Sequence, residues 1–284
     1  MEIKEMVDGK RHQVQYDQNI AGFFHDFNIH TGRPELFAGY ITGHCLKDKE
    51  VSSGETYGIA ADFGCGTGWL STRLAFDGFE KVYGIDTSPS MINQAMDKTP
   101  SYLLKTGRVC YHVEIPLDIL GRCDLATAVH LHYHFNTKEK LRDDFFGVLA
   151  SLISKNGEVI MIGCPSKNIR NTPDHFYSCI HMDDIPEKIA CQTLSINDYA
   201  DQQGYVPISC LPDFRVEDGT QLKVVFSIQD LSGNVRKAYL TDTHWNDDML
   251  ESVAREAGLS LIRRQELSWR NHPGSYMAMH FRKL

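Results

Sequence analysis

None of the eight cysteines (positions 45, 65, 110, 123, 164, 179, 191 and 210) pairs with another at CxxC spacing, so no structural zinc site is expected. They are scattered, and several sit inside apolar runs such as Val109-Cys110-Tyr111, where a thiol behaves as a small buried hydrophobe. Reduced thiols in a cytoplasmic protein are the expectation. No apolar run approaches the ~20 residues a membrane helix needs. The opening MEIKEMVDGKRH carries no secretory hydrophobic stretch, so a soluble chain without membrane partners is expected. Basic charge is also scarce: 29 Lys and Arg against 37 Asp and Glu leave a net charge of −8. That is the wrong sign for a protein whose main partner is nucleic acid. Low-complexity segments and internal repeats are absent. With 42% apolar and 23% charged residues, the composition excludes collagen-like and wholly disordered chains. The 284 residues allow one large domain or two small ones.

What is present changes character along the chain. From about Val14 to Asn28, Tyr16, Ile20, Phe23, Phe24 and Phe27 recur at helical spacings. A second helix follows the Thr31-Gly32 break, with Pro34 in its first turn. Beyond a polar loop, short apolar strands alternate with helices: strands Gly58–Phe63, Lys81–Ile85, Arg108–Val113, Leu125–Val129 and Glu158–Ile162, and helices Thr67–Phe76 and Ser88–Asp97. Asn136 as cap, with Glu139 three residues on, opens a further helix through Leu149 and Ile153. This alternation predicts an α/β fold with a doubly wound, mainly parallel sheet. From Pro165 to Gly219 the alternation fails, and so long a segment reads as a binding element or lid. Gln221–Ile228 and Asn234–Leu240 form a hairpin pattern, followed by a helix at Asn246–Ala257 and strands Leu259–Arg264 and Ser275–Phe281.

The densest signal is Asp62-Phe63-Gly64-Cys65-Gly66-Thr67-Gly68-Trp69. Glycines at alternate positions let the chain turn sharply from strand to helix and approach a ligand closely. Asp62 ends the strand where a carboxylate can receive an ammonium group. Asp86, 22 residues after Gly64, ends the next strand where an acid binds ribose hydroxyls. A dinucleotide site requires GxGxxG/A facing a pyrophosphate. Here Trp69 occupies the last small position, and an upstream acid would repel phosphate. A cofactor with a ribose and an amino-acid end but no phosphate fits, which describes S-adenosylmethionine (SAM). Taken alone, GxGxG is also compatible with a tight turn and nothing more.

Asp62-x-Gly64-x-Gly66-x-Gly68 followed by Val82-Tyr83-Gly84-Ile85-Asp86 resembles the cofactor signature of class I SAM-dependent methyltransferases of small-molecule type. Cys123-Asp124-Leu125-Ala126-Thr127-Ala128 and Asn156-Gly157-Glu158-Val159-Ile160 resemble that family's fourth- and fifth-strand blocks. The resemblance covers roughly residues 20–165 and resumes at the final helix and strands. It implies a seven-stranded, mainly parallel sheet with an N-terminal helical lid (1–50), a SAM-binding core (51–165), an acceptor-side insertion after strand 5 (166–220) and the remainder of the core (221–284). It further implies Asp62, Gly64 and Gly66 at the methionine end, Asp86 on the ribose, Thr87 and Met91 near the adenine, Glu114 at the adenine amino group and Tyr16 closing over the cofactor.

Val129-His130-Leu131-His132-Tyr133-His134-Phe135 follows the fourth strand, at the carboxyl edge where such sheets bind ligands. Three alternating histidines invite a metal reading, but no further ligand at a recognisable spacing completes a site, and no metal is expected. His130 is expected to face cofactor and acceptor as a base, with His134 as a second catalytic candidate. A hydrogen-bonded structural histidine is the alternative for His130. In the insertion, His175, Tyr177 and His181 suit either an acceptor pocket or a small core of its own. Phe24 and Trp245 are further candidate pocket walls, with helix core as the alternative for Phe24. The expected activity is methyl transfer to oxygen or nitrogen of a small molecule, a secondary-metabolite acceptor among them, by a monomer or homodimer. An RNA or protein methyltransferase and a non-catalytic SAM-binding protein remain alternatives. Against a base-amino enzyme, Val129-His130-Leu131-His132 stands where an Asn/Asp-Pro-Pro-Tyr motif would be.

Overall fold

A computed structural model describes residues 17–31, 33–46, 57–164, 188–195, 206–207, 217–229, 235–269 and 272–284. Two helices come first, α1 (Gln18–Thr31) and α2 (Arg33–Leu46). Asp17 starts α1: its carboxylate accepts the Ile20 amide at 2.9 Å, satisfying a donor the first helical turn cannot. The alternating region then builds β1 (Tyr57–Phe63), α3 (Trp69–Phe76), β2 (Phe79–Ile85), α4 (Pro89–Lys98), α5 (Ser101–Lys105), β3 (Val109–His112) and β4 (Cys123–Val129). One helical rod follows, in which α6 (Lys138–Lys140) runs through a π-helical stretch, Leu141–Phe146, into α7 (Gly147–Leu152). After β5 (Ile153–Gly163) come β6 (Lys188–Ser195), β7 (Val206–Pro207), β8 (Gln221–Gln229), β9 (Val235–Thr243), α8 (Asp247–Glu256), β10 (Leu259–Trp269) and β11 (His272–Lys283).

The main sheet has seven strands in the order β10-β11-β5-β4-β1-β2-β3. Strands β1 to β5 pair in parallel, while β11 is antiparallel to both β5 and β10. Period-two alternation sends the two faces of each strand into separate cores. Ile160, Ile162, Tyr276 and Ala278 join Phe27, Phe37 and Leu74 on the face covered by α1 to α3. Val159, Met161, Met277 and Met279 join Phe145, Phe146 and Val253 on the other. Alanines at 60, 61, 126 and 128, all fully buried, keep the two central strands slim so that both helical layers can close on them. Burial on both faces explains why these strands read as continuous apolar runs.

Two expectations need correction. The hairpin at 221–240 does not extend the main sheet: β8 and β9 pair with β6 in a second, antiparallel sheet of order β7-β6-β8-β9. The segment 221–284 is therefore divided, and only β10, β11 and α8 belong with the seven-stranded sheet. The cap of the α6 rod is Thr137 rather than Asn136, since the Thr137 hydroxyl accepts the Lys140 amide at 3.2 Å. Among the described residues no helix is long and apolar enough to cross a membrane. Cys65, Cys110, Cys123 and Cys164 carry free thiols. Thr137→Ala is expected to cost about 1 kcal/mol in urea denaturation and Asn136→Ala less than about 0.5. Equal losses would return the cap to Asn136.

Candidate functional site

The β1–α3 turn is built from three left-handed glycines, Gly64, Gly66 and Gly68. At Gly64 (φ 76°) a Cβ would lie 2.7 Å from the Leu131 side chain, so the position is closed to other residues by space as well as by backbone. At Gly66 (φ 53°) a Cβ would meet nothing within 4 Å, so the space above the turn is open. The Gly64 amide donates to the Ile85 carbonyl at 2.7 Å, which ties the turn to the end of β2. Asp86 completes that tie: Oδ2 accepts the Gly66 amide and Oδ1 the Ser88 amide, each at 2.9 Å. One carboxylate thus fixes both the glycine turn and the entry to α4, where Ser88 caps the Met91 amide. Burial raises the Asp86 carboxyl above its ordinary range, and the two amide bonds oppose the shift.

Asp62 lies beneath the turn, 2% exposed, accepting hydroxyl hydrogens from Ser71 at 2.6 Å and Thr127 at 3.0 Å. Its surroundings differ from the open strand end expected for an ammonium receptor, because α3 and β4 each supply a donor that covers it. Burial pushes its pKa up from 3.8 to about 6, with the hydroxyls lowering it and Asp86 raising it. Thr87 is exposed on the β2–α4 turn and Met91 is buried in α4. Glu114 follows β3 and is exposed.

His130 sits at the carboxyl edge, where its amide donates to the Ile162 carbonyl at 2.8 Å. It is the non-glycine residue with positive φ among those described (54°), a conformation that strains most side chains. Phe37 and Tyr276 flank its ring at 5.5 Å each between centroids, and Tyr133 stacks at 6.1 Å. Burial drives its pKa well below 6.5, and the nearby Arg33 cation pushes the same way. The imidazole is therefore neutral at physiological pH but a weaker base than its ordinary value implied. His132 is buried against Tyr133 and Phe145, with burial taking it to about 3. His134 lies in the same 3₁₀ turn, half-buried.

The acceptor-side candidates separate. Phe24 packs edge-on to Phe23 (5.6 Å) and Phe27 (6.2 Å) in α1, part of an aromatic cluster joined to the core. Trp245 is 6% exposed, and its indole N–H donates to the Phe135 carbonyl at 2.9 Å, which makes it a packed element of the second core. Tyr16, His175, Tyr177 and His181 lie outside the described residues.

Several residues of the site carried no sequence signal. Arg33, 6% exposed, stacks its guanidinium 4.6 Å over the Phe27 ring and acts electrostatically on both His130 and Cys164. Its position between two helices looks in sequence like a surface basic residue. Ser71 and Thr127 were legible only as helix and strand residues, although their spacing from Asp62 brings both hydroxyls to it. Tyr111 fills the space left by Gly68 and Gly84, and its hydroxyl meets Thr99 at 2.7 Å. From α1, His25 reaches Thr67 of the glycine turn at 3.4 Å. A polar cleft of about 360 Å³ between α1 and α4 includes Gln18, Phe23, His25, Gln94 and Lys98 in its wall.

The raised Asp62 pKa has a direct consequence. Because the folded state holds this proton more tightly than the unfolded chain, its contribution to stability is full below about pH 3.8 and lost as pH rises through 6. Asp62→Asn removes the loss, so denaturation should show the variant gaining on wild type by on the order of 1 kcal/mol between pH 5 and 7.5. A difference that stays constant across that range would show that the carboxyl titrates normally.

A family profile described as "Methyltransferase domain" matches residues 61–161, which run from β1 through β5. A search of curated proteins found no match. Among solved structures, a SAM-dependent methyltransferase from Clostridium acetobutylicum superposes with a TM-score of 0.63 at 12% identity, covering 92% of this chain and 98% of the other. The CcbJ methyltransferase from Streptomyces caelestis gives 0.60 at 14% identity, covering 88% and 90%. CalS10, an amino pentose methyltransferase from Micromonospora echinaspora determined with SAM bound, gives 0.55 at 14% identity, covering 95% and 99%. At such identities these structures establish the fold, and the profile match lies on the strands and turns that build the site. Residues 61–161 thus carry a methyltransferase-domain match, and the chain has the fold of SAM-dependent methyltransferases.

Proposed function

We propose that this protein is a SAM-dependent methyltransferase that moves the methyl group of SAM to an oxygen or nitrogen of a small-molecule acceptor by direct displacement. The observation that carries the reading is the pairing of two features at one sheet edge. One is the open glycine turn clamped by Asp86. The other is the ring of His130, Phe37, Tyr276 and Arg33 beside it. The site chemistry fits the cofactor. Each carboxylate oxygen of Asp86 has lone-pair capacity beyond its one amide bond, enough to accept ribose hydroxyls. The space over Gly66 is free for a ligand. In this reading Gly64 and Gly66 line the methionine end, Asp62 supports that end from below, Thr87 and Met91 border the adenine, and Glu114 takes the adenine amino group. Tyr16, where the lid begins, closes the site.

SAM supplies an activated methyl carbon on a sulfonium, so the protein's share of the work is alignment and exclusion of water. His130, neutral and enclosed by aromatic rings, positions the acceptor and can accept a hydrogen bond from its hydroxyl or amine. Its depressed basicity suits orientation better than full proton removal. Arg33 adds positive charge near the acceptor, and His134 extends the imidazole edge. The insertion at 166–220, with His175, Tyr177 and His181, is where acceptor specificity would reside.

The net charge of −8 and the absence of a base-amino motif after β4 favour a small acceptor over RNA. Similarity of fold to an amino pentose methyltransferase supports the same direction. Calorimetric titration with SAM should show Asp86→Ala weakened at least about tenfold, since a charged acceptor for ligand hydroxyls is worth ~1.5–3 kcal/mol. Unchanged affinity removes Asp86 from the cofactor site. Labelled-methyl transfer into a metabolite extract should fall in His130→Ala with SAM affinity retained. Tight SAM binding with no labelled product from any extract, by wild type, would favour a non-catalytic SAM-binding protein.

A further inference from the structure

Toward the amino end of β5, away from the glycine turn, α2 crosses over β5 and β11 with a polar cluster beneath it. Glu158, His280 and Arg282 project from the same face, because Glu158 shares the parity of Ile160 and Ile162, and His280 and Arg282 that of Ala278. His44, in the last turn of α2, reaches down to them. Its Nε2 lies 3.0 Å from Oε2 of Glu158, and its ring stands 4.2 Å from that of His280 between centroids. One ligand atom from each of His44, Glu158 and His280 lies within 4.8 Å of the other two.

From this geometry we infer that His44, Glu158 and His280 form a binding site for a divalent transition ion of the zinc type, separate from the methyl-transfer centre. Two imidazoles and a carboxylate are the donors such ions take, at ~2.0–2.2 Å. Tetrahedral bonds of that length hold ligand atoms ~3.3 Å apart, so the cluster is within ~1.5 Å of coordination spacing.

Two independent features point to a ligand here. His280 is fully buried, and its Nδ1 has no hydrogen-bond partner among the described residues. Buried polar atoms seldom stay unsatisfied. The surrounding bonds also match an outer shell. The Tyr40 hydroxyl meets Nε2 of His280 at 2.8 Å, fixing the ring with Nδ1 available. Arg282 donates to Oε1 of Glu158 through Nε at 2.8 Å and through its terminal nitrogen, leaving Oε2 toward His44. Outer bonds of this kind orient metal ligands. The His44 and Glu158 side chains are 18% and 16% exposed, which leaves an entry path and a fourth position for water.

The site is remote from the chemistry yet mechanically joined to it. Glu158 is four residues before Ile162, whose carbonyl holds His130, a strand distance of ~13 Å. The helix α2 spans both ends, with Arg33 and Phe37 near His130 and His44 on the cluster. A bound ion would pin that helix to β5 and β11. The neighbouring Arg282 and Arg263 cations temper the expected affinity to the micromolar range rather than that of a closed thiolate site.

The test is a titration of chelator-treated full-length protein with Zn²⁺, and with Co²⁺ as a spectroscopic probe. One equivalent should bind, with Co²⁺ d–d bands free of thiolate charge transfer and a rise in Tm. His44→Ala, at a half-buried helix end, should keep its circular dichroism and weaken binding at least ~10-fold, and Glu158→Gln should do the same. No binding at ~1 mM Zn²⁺, a thiolate signature, or affinity unchanged in His44→Ala would each overturn the site.

Discussion

A single carboxylate holds the working edge of this protein together. Asp86 accepts the Gly66 amide with one oxygen and the Ser88 amide with the other, so it joins the turn after β1 to the turn after β2. Both turns would otherwise carry unsatisfied donors at helix starts. With them tied, α3 and α4 leave the sheet in fixed directions, and an open space remains over Gly66. The same residue is the one whose remaining acceptor capacity suits ribose hydroxyls. Structural clamp and proposed cofactor contact are thus two uses of one side chain.

Behind it the site is electrostatically tense. Asp62 is enclosed and held by two hydroxyls, and burial lifts it to about 6. His130 is enclosed beside the Arg33 cation and pushed the other way. Acid and base are both moved toward their neutral forms. A cationic cofactor lying between them would favour the ionised Asp62 while leaving His130 neutral, an arrangement matched to a sulfonium and an uncharged attacking atom.

Much of this was legible from sequence because it rests on local rules. Glycine at three alternate positions, an acid at each of two strand ends, and helix-strand alternation specify the main sheet and the turn. The second sheet was missed because antiparallel alternation in β8 and β9 looks the same whichever sheet they join, and their partner β6 comes from a segment with no clear period. Asn136 and Thr137 are adjacent and both suit a cap, so composition could not separate them. Arg33 and Trp245 were misread or overlooked because burial of a long cation, or of an indole whose N–H finds a backbone carbonyl, is a tertiary outcome. The His44, Glu158 and His280 cluster gathers from three distant positions and leaves no spacing pattern at all.

The most direct check of the account is a crystal structure with S-adenosylhomocysteine bound. It should place the Asp86 carboxylate within hydrogen-bond distance of both ribose hydroxyls, the amino-acid end over Gly64 and Gly66, and the sulfur facing His130. A ligand whose ribose is held without Asp86, or whose sulfur points away from His130, would contradict it.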